Sequence, residues 1–202
     1  MDVPKFLELI LRWAHVFAGI IWIGHLYFFN FVNVPFQGTI DKETKKKVNP
    51  FLLPRALWWF RWGAMITFLS GLGLFWKVYL SDGLLRDADG GMSDRAMWIL
   101  FGMLLGTVMW FNVWFIIWPA QQKLIAWTRD GLAPPEQPAL ARKALLASRT
   151  NTYLSGPMLF GMLAGAAHYP SMQFGAFGIA AALGVFAIFS AIGHSKKVGQ
   201  SI

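Results

Sequence analysis

Residues 12–32 read RWAHVFAGIIWIGHLYFFNFV. Arg12, His15, His25 and Asn30 interrupt a run that is otherwise apolar or aromatic, and it is long enough to cross a bilayer, which takes ~20 residues. The run continues to about Val34, carries Glu8 and Arg12, and has no small-residue cleavage site after a short apolar core. It therefore reads as a retained spanning segment and not as a cleaved signal peptide. An ionisable side chain inside hydrocarbon is costly, so both histidines are functional candidates by default.

The rest of the chain follows the same pattern. Five apolar segments, near 6–32, 56–80, 96–118, 150–168 and 173–193, predict an all-α membrane protein with five transmembrane helices in one domain. The segment before His168 is the least hydrophobic and is rich in Gly. The links are polar: Asp41 to Pro54, Ser81 to Arg95 around a Gly-Gly turn, and Pro119 to Arg149 with a Pro-rich stretch. A short amphipathic helix, Ala139 to Ser148, is expected in the last of these.

Composition supports this class. Of the 202 residues 56% are hydrophobic and 14% charged, against ~25% charged in soluble domains. Eleven Trp favour bilayer interfaces. The net charge of +8 does not point to nucleic acid, because the basic residues gather in the short links between apolar runs. The chain has no Cys. That removes disulfides, thiolate metal sites, iron–sulfur clusters and covalent CxxCH haem attachment.

Lys and Arg set an expected orientation. Thirteen fall on one side: Lys42, Lys45, Lys46, Lys47, Arg55, Arg61, Lys123, Arg129, Arg142, Lys143, Arg149, Lys196 and Lys197. Five fall on the other: Lys5, Arg12, Lys77, Arg86 and Arg95. The bias places the N-terminus outside and the C-terminus in the cytoplasm.

On this frame the four histidines pair by depth. His15 and His25 are separated by ~15 Å of helical rise and ~80° of rotation, so they cannot grip one iron from opposite sides. His15 pairs with His168 toward the outer face, and His25 with His194 toward the inner face. Each pair would suit bis-His ligation of a b-type haem, with one or two haems in all. Arg12 would serve the outer propionates, and Arg55 or Arg61 the inner ones. Ala14, Ala18, Gly19, Gly156, Gly161 and Gly165 would leave room for a flat macrocycle, or would let helices pack closely.

Further polar residues gather at the expected inner ends: Asn30, Asn33, Arg61, Asn112, Gln121, Gln122, Arg149, Asn151 and Thr152. They would suit a quinone head group or a purine, although helix capping and interhelical hydrogen bonding are the favoured reading. Two Trp runs, Trp58, Trp59, Trp62 and Trp110, Trp114, Trp118, are expected to form an interfacial belt.

Four longer motifs carry a family resemblance: RWAHVFAGIIWIGHLYFFNFVNVPF (12–36), LPRALWWFRWGA (53–64), NVWFIIWPAQQK (112–123) and SRTNTYLSGPMLF (148–160). Together they resemble the membrane region of the bacterial PuuD-type urate oxidase (urate hydroxylase) family. The resemblance implies a helical membrane bundle coupled to a c-type cytochrome domain outside the membrane. It carries over His15, in the first motif, and His168, in AAHYP (166–170). This chain has five spans and no CxxCH.

Three functions follow as expectations. The first is a b-type cytochrome-like electron-transfer subunit between a c-type cytochrome and a quinone or partner enzyme. The second is the membrane half of a urate-oxidising enzyme. The third is a non-redox subunit of a larger membrane complex.

Overall fold

The computed structural model describes residues 3–165, 171 and 173–198. Five helices account for nearly all of them: α1 (Val3–Thr39), α2 (Lys42–Ser81), α3 (Asp94–Asp130), α4 (Gln137–Leu163) and α5 (Phe174–Val198). No strand occurs among the described residues, and an isolated bridge joins Arg86 to Met92 in the α2–α3 loop. Among the described residues α1, α2, α3 and α5 are long and apolar enough to cross a membrane.

The helices outrun the apolar segments. The expected polar link from Asp41 to Pro54 is already helical, because Asp41 caps α2 by accepting the Thr44 N–H at 2.8 Å. The long link after Pro119 shrinks to residues 131–136, closed by Gly131 in the left-handed region at φ 70°. The expected amphipathic helix 139–148 and the span beginning at 150 form one helix, α4. Polarity marks where a helix leaves hydrocarbon, but not where its hydrogen-bond ladder stops.

Two π-helical stretches precede the prolines that α1 and α3 pass through. Phe28–Asn33 precedes Pro35, and Asn112–Ile117 precedes Pro119. Val34 donates to the Phe29 carbonyl and Trp118 to that of Val113, so the turn is widened. A helical Pro has no N–H and crowds the carbonyl four residues back; a wider turn before it relieves both problems. Asn side chains satisfy neighbouring polar groups. Asn30 donates to the Leu26 carbonyl (3.0 Å) and to Ser148 Oγ on α4 (2.8 Å). Asn112 donates to Asn151 Oδ1 (2.8 Å), and Asn151 donates to the Met109 carbonyl (2.8 Å).

α1 to α4 form an antiparallel ring. Phe29 meets Phe60, Phe68 stacks on Trp110, Asn112 bonds Asn151, and Tyr27 bonds Ser155 on returning to α1. Glycines set the closest approaches. A Cβ on Gly161 would lie 2.9 Å from the Gly102 backbone, and one on Gly156 would lie 2.7 Å from that of Gly184. The latter contact seats α5 against α4, outside the ring.

α4 carries the ring's polar seam. Asn151, Thr152 and Ser155 are each 0% exposed. These inward polar groups explain why α4 is the least apolar helix: its buried face is hydrogen-bonded, not greasy. The two Trp runs differ in burial. Trp58, Trp59 and Trp62 are exposed, whereas Trp110 and Trp114 are half-buried and pack onto α2 through Phe68 and Trp62.

Candidate functional site: a histidine-lined cavity inside the four-helix ring

α1 reaches the site through residues one turn apart. His15, Gly19, Ile23 and Tyr27 share a helical face, with Arg12 one turn earlier. This face lines a cavity of about 700 Å³ bordered by α1, α2, α3 and α4. From Arg12 to Tyr27 it runs along ~22 Å of helical rise. Its walls are mainly apolar, with Phe68, Phe75, Ile99, Met103, Met158 and Met162 among them.

His15 is fixed by α2. Its Nδ1 lies 2.9 Å from the Thr67 carbonyl oxygen, which can only accept, so Nδ1 carries the proton. The Ser70 hydroxyl oxygen lies 3.4 Å from the same nitrogen. The Nε2 lone pair is thereby left available on a side chain that lines the cavity. A backbone carbonyl holding one ring nitrogen is the usual support of a metal-bound imidazole. Gly71 gives the ring its space, since a Cβ there would lie 2.9 Å from His15 Cε1 and 3.2 Å from Nδ1.

One end of the cavity is basic and hydrogen-bonded. Arg12 pairs with Glu8 at 2.6 Å. Arg95 Nε donates to the Gly165 carbonyl at 2.8 Å, and the Tyr79 hydroxyl donates to the same oxygen at 3.1 Å. Arg12, Tyr79, Arg95 and Gly165 all line the cavity. Arg95, Thr67 and Gly71 are not legible as site residues in the sequence. The available signals were an Arg at the start of the third span, on the Arg12 side, and small or polar residues recurring on one face of the second.

The other sequence candidates are scattered. His168 lies outside the described residues. His25 Nδ1 bonds the Ile21 carbonyl of its own helix at 2.7 Å, His194 is exposed, and neither lines the cavity. His25 and His194, the expected inner pair, are thus not part of the cavity that His15 lines. Arg55 Nη1 donates to the Phe51 carbonyl of its own helix. Arg61 is also away from the cavity, with its guanidinium carbon 3.9 Å from the Trp118 ring centre. Among the described residues no cluster of three His, Asp or Glu could hold a bare metal ion. The chemistry on offer is one oriented imidazole in an apolar chamber with cations at one end.

Asn30, Asn112, Asn151 and Thr152 serve helix–helix and helix–backbone hydrogen bonds, as the favoured reading of those residues held. No curated protein and no solved structure matches the chain. A family model described as urate oxidase N-terminal matches residues 87–196, from the loop before α3 into the last turns of α5. That stretch includes Arg95, Met103, Met158 and Gly165 of the cavity wall, but not Arg12 or His15. Because the match covers more than half of the chain, this protein belongs to the urate oxidase N-terminal family.

Proposed function

We propose that the protein is the electron-transferring membrane part of a urate-oxidising system, and that its cavity holds a b-type haem through His15. One observation carries this reading: the imidazole on the wall of a roughly 700 Å³ apolar chamber has its Nδ1 proton engaged by Thr67, leaving Nε2 as a donor. The donor set fits the group in two further respects. The chamber is apolar along most of its length, and Arg12 and Arg95 at one end suit propionates. When bound, haem would supply one-electron redox chemistry.

The residues have separable roles. His15 would hold the haem iron, and Thr67 would keep its ring oriented. Gly71 would leave that ring its space. His168, three residues after Gly165 of the cavity wall, would be the second residue to hold the group. His25 and His194 would hold a second haem, toward the inner face. The apolar walls would exclude water from the iron's surroundings.

The membrane frame is part of the proposal. Five spans with α1 starting in the periplasm and the C-terminus in the cytoplasm of a bacterial inner membrane follow the Lys and Arg bias. That orientation would put the Arg12 end near a periplasmic c-type cytochrome. A quinone would be the partner on the electron path's other side. The family match favours a second reading, in which this chain is the membrane half of the urate-oxidising enzyme itself.

The test is a reduced-minus-oxidised visible spectrum of the purified protein with a pyridine haemochrome assay. Protohaem in stoichiometric amount is expected. Folded, haem-free protein from haem-replete cells would refute the cytochrome reading. Urate consumption by membranes that depends on this chain and on an added c-type cytochrome would select the second reading.

A further inference from the structure

The far end of the ring, where α1 finishes, holds most of the buried side-chain polar atoms without a partner among the described residues. Among the described residues the buried side-chain atoms without a partner are Trp22 Nε1, Asn30 Oδ1, Arg61 Nε, Trp110 Nε1, Trp114 Nε1 and Arg149 Nε. Asn30, Arg61, Trp114 and Arg149 belong to this half, whereas Trp110 stacks on Phe68 of the His15 cavity wall. Side-chain contacts place these four at neighbouring depths: Phe29 meets Phe60, Asn30 bonds Ser148, Trp62 meets Trp114, and Arg61 lies over Trp118. Three of these four atoms are donors.

Buried polar groups are normally paired, so a cluster of unpaired donors calls for an acceptor. Charge makes the case stronger. Arg61 stacks on Trp118 and lies 5.4 Å from the Trp114 ring centre. Such stacking is worth ~0.5–2 kcal/mol, but it does not cancel the charge or engage the N–H groups. Neither Arg61 nor Arg149 has a carboxylate partner among the described residues. The acids at this end are committed or exposed: Asp130 pairs with Arg129, Asp41 caps α2, and Glu43 and Glu136 face solvent. An arginine within a membrane bundle ordinarily has a counter-charge. Asn30 is only 1% exposed, while Arg61 and Arg149 are partly exposed, so the cluster runs from the bundle interior to its rim.

We infer that Arg61 and Arg149 form an anion site for a phosphate-like oxyanion. The exposed Trp58, Trp59 and Trp62 beside Arg61 are the residues that settle at bilayer interfaces, which is the depth of lipid phosphates. The oxyanion would thus come either from an anionic lipid headgroup or from a small soluble anion. The site is separate from the His15 cavity, which neither arginine lines, and stands whether or not haem binds there.

The experiment follows thermal unfolding of the full chain in phosphatidylcholine nanodiscs by near-ultraviolet circular dichroism. Inorganic phosphate is titrated at constant ionic strength in one arm. Phosphatidylglycerol replaces phosphatidylcholine stepwise in the other. A saturable rise of the midpoint is expected in at least one arm, and the responding arm identifies the source. In Arg61→Gln and Arg149→Gln the half-saturating anion level should rise roughly tenfold or more, the size expected for loss of a charge-assisted hydrogen bond. Arg142→Gln, an exposed basic residue on α4, should respond as the unaltered protein does. If one arginine variant fails to fold, the other and Trp114→Phe, which deletes a donor but keeps a ring, carry the test. No saturable shift in either arm would overturn the assignment. So would arginine variants that respond like the unaltered protein, or an equal loss in Arg142→Gln.

Discussion

At the end of the ring where α1 begins, polar groups are spent on the protein itself. His15 reaches the Thr67 carbonyl, and Tyr79 and Arg95 share that of Gly165. What is left over is space and one nitrogen lone pair. At the end where α1 finishes, Arg61, Trp114 and Arg149 keep buried N–H groups without partners. There the surplus is donors and charge. The same four helices thus present two kinds of recognition. One suits a bulky apolar ligand that needs a single coordinating atom, and the other suits a compact anion. Small residues and a fixed imidazole make the first, whereas cations lacking counter-ions make the second.

The largest effect should come from removing the lone pair. His15→Ala is expected to abolish haem binding at the cavity, measured as haem per polypeptide. It should leave the anion response at the far end intact. Full haem retention would show that the cavity's imidazole is not the ligand, and loss of both responses would show that the two ends are not independent.

Gly71→Ala should act through the same ring by crowding. A Cβ at 2.9 Å must displace the imidazole or the helix. Overpacking of this kind costs about 1–3 kcal/mol. Haem occupancy should fall below that of the unaltered protein while the polypeptide still folds. Unchanged occupancy and an unchanged absorption band would mean that the ring's position does not matter.

Asn151→Ala should weaken the ring without touching either ligand. It breaks the bond to Asn112 and frees the Met109 carbonyl. Interhelical hydrogen bonds in membranes are worth ~0.6–1.7 kcal/mol. The unfolding midpoint should drop while haem stoichiometry stays constant. Loss of haem at an unchanged midpoint would instead place Asn151 in the site.

The smallest effect belongs to Asp41, at the start of α2. The Thr44 N–H and hydroxyl donate to its carboxylate and hold its pKa below the ordinary range. Its folded value is depressed, so its stabilisation is present above the unfolded pKa. It is lost as pH falls through the folded value. The stability gap between the unaltered protein and Asp41→Ala should therefore narrow as pH drops below about 4. A gap that widened on acidification would contradict this capping role.

Much of the helix content was legible because apolar runs of spanning length have few alternatives. The helix ends were less so. Residues 42–54 look like a loop by charge, yet Asp41 caps them into α2. Residues 119–130 continue α3 past a proline because a π-helical turn precedes it. Of the candidate ligands, His15 stood out in the sequence because it lies well inside an apolar run. Arg95 did not, since an Arg at a helix start has an ordinary role as an interfacial charge. Arg61 looked like a propionate partner by depth alone, but its azimuth turns it onto Trp118.

By itself the sequence determined the class and the number of helices, because apolarity and the length of a spanning run are local properties. Tertiary structure alone decided which face of each helix meets which neighbour. Thr67 and Gly71 meet His15 across some fifty residues of chain only when α1 and α2 pack antiparallel at one particular rotation. Rotation about a helix axis is set by side-chain packing between helices, and small residues at the contacts select it. For that reason the cavity, its oriented imidazole and the unpaired arginines at the far end emerge only in three dimensions.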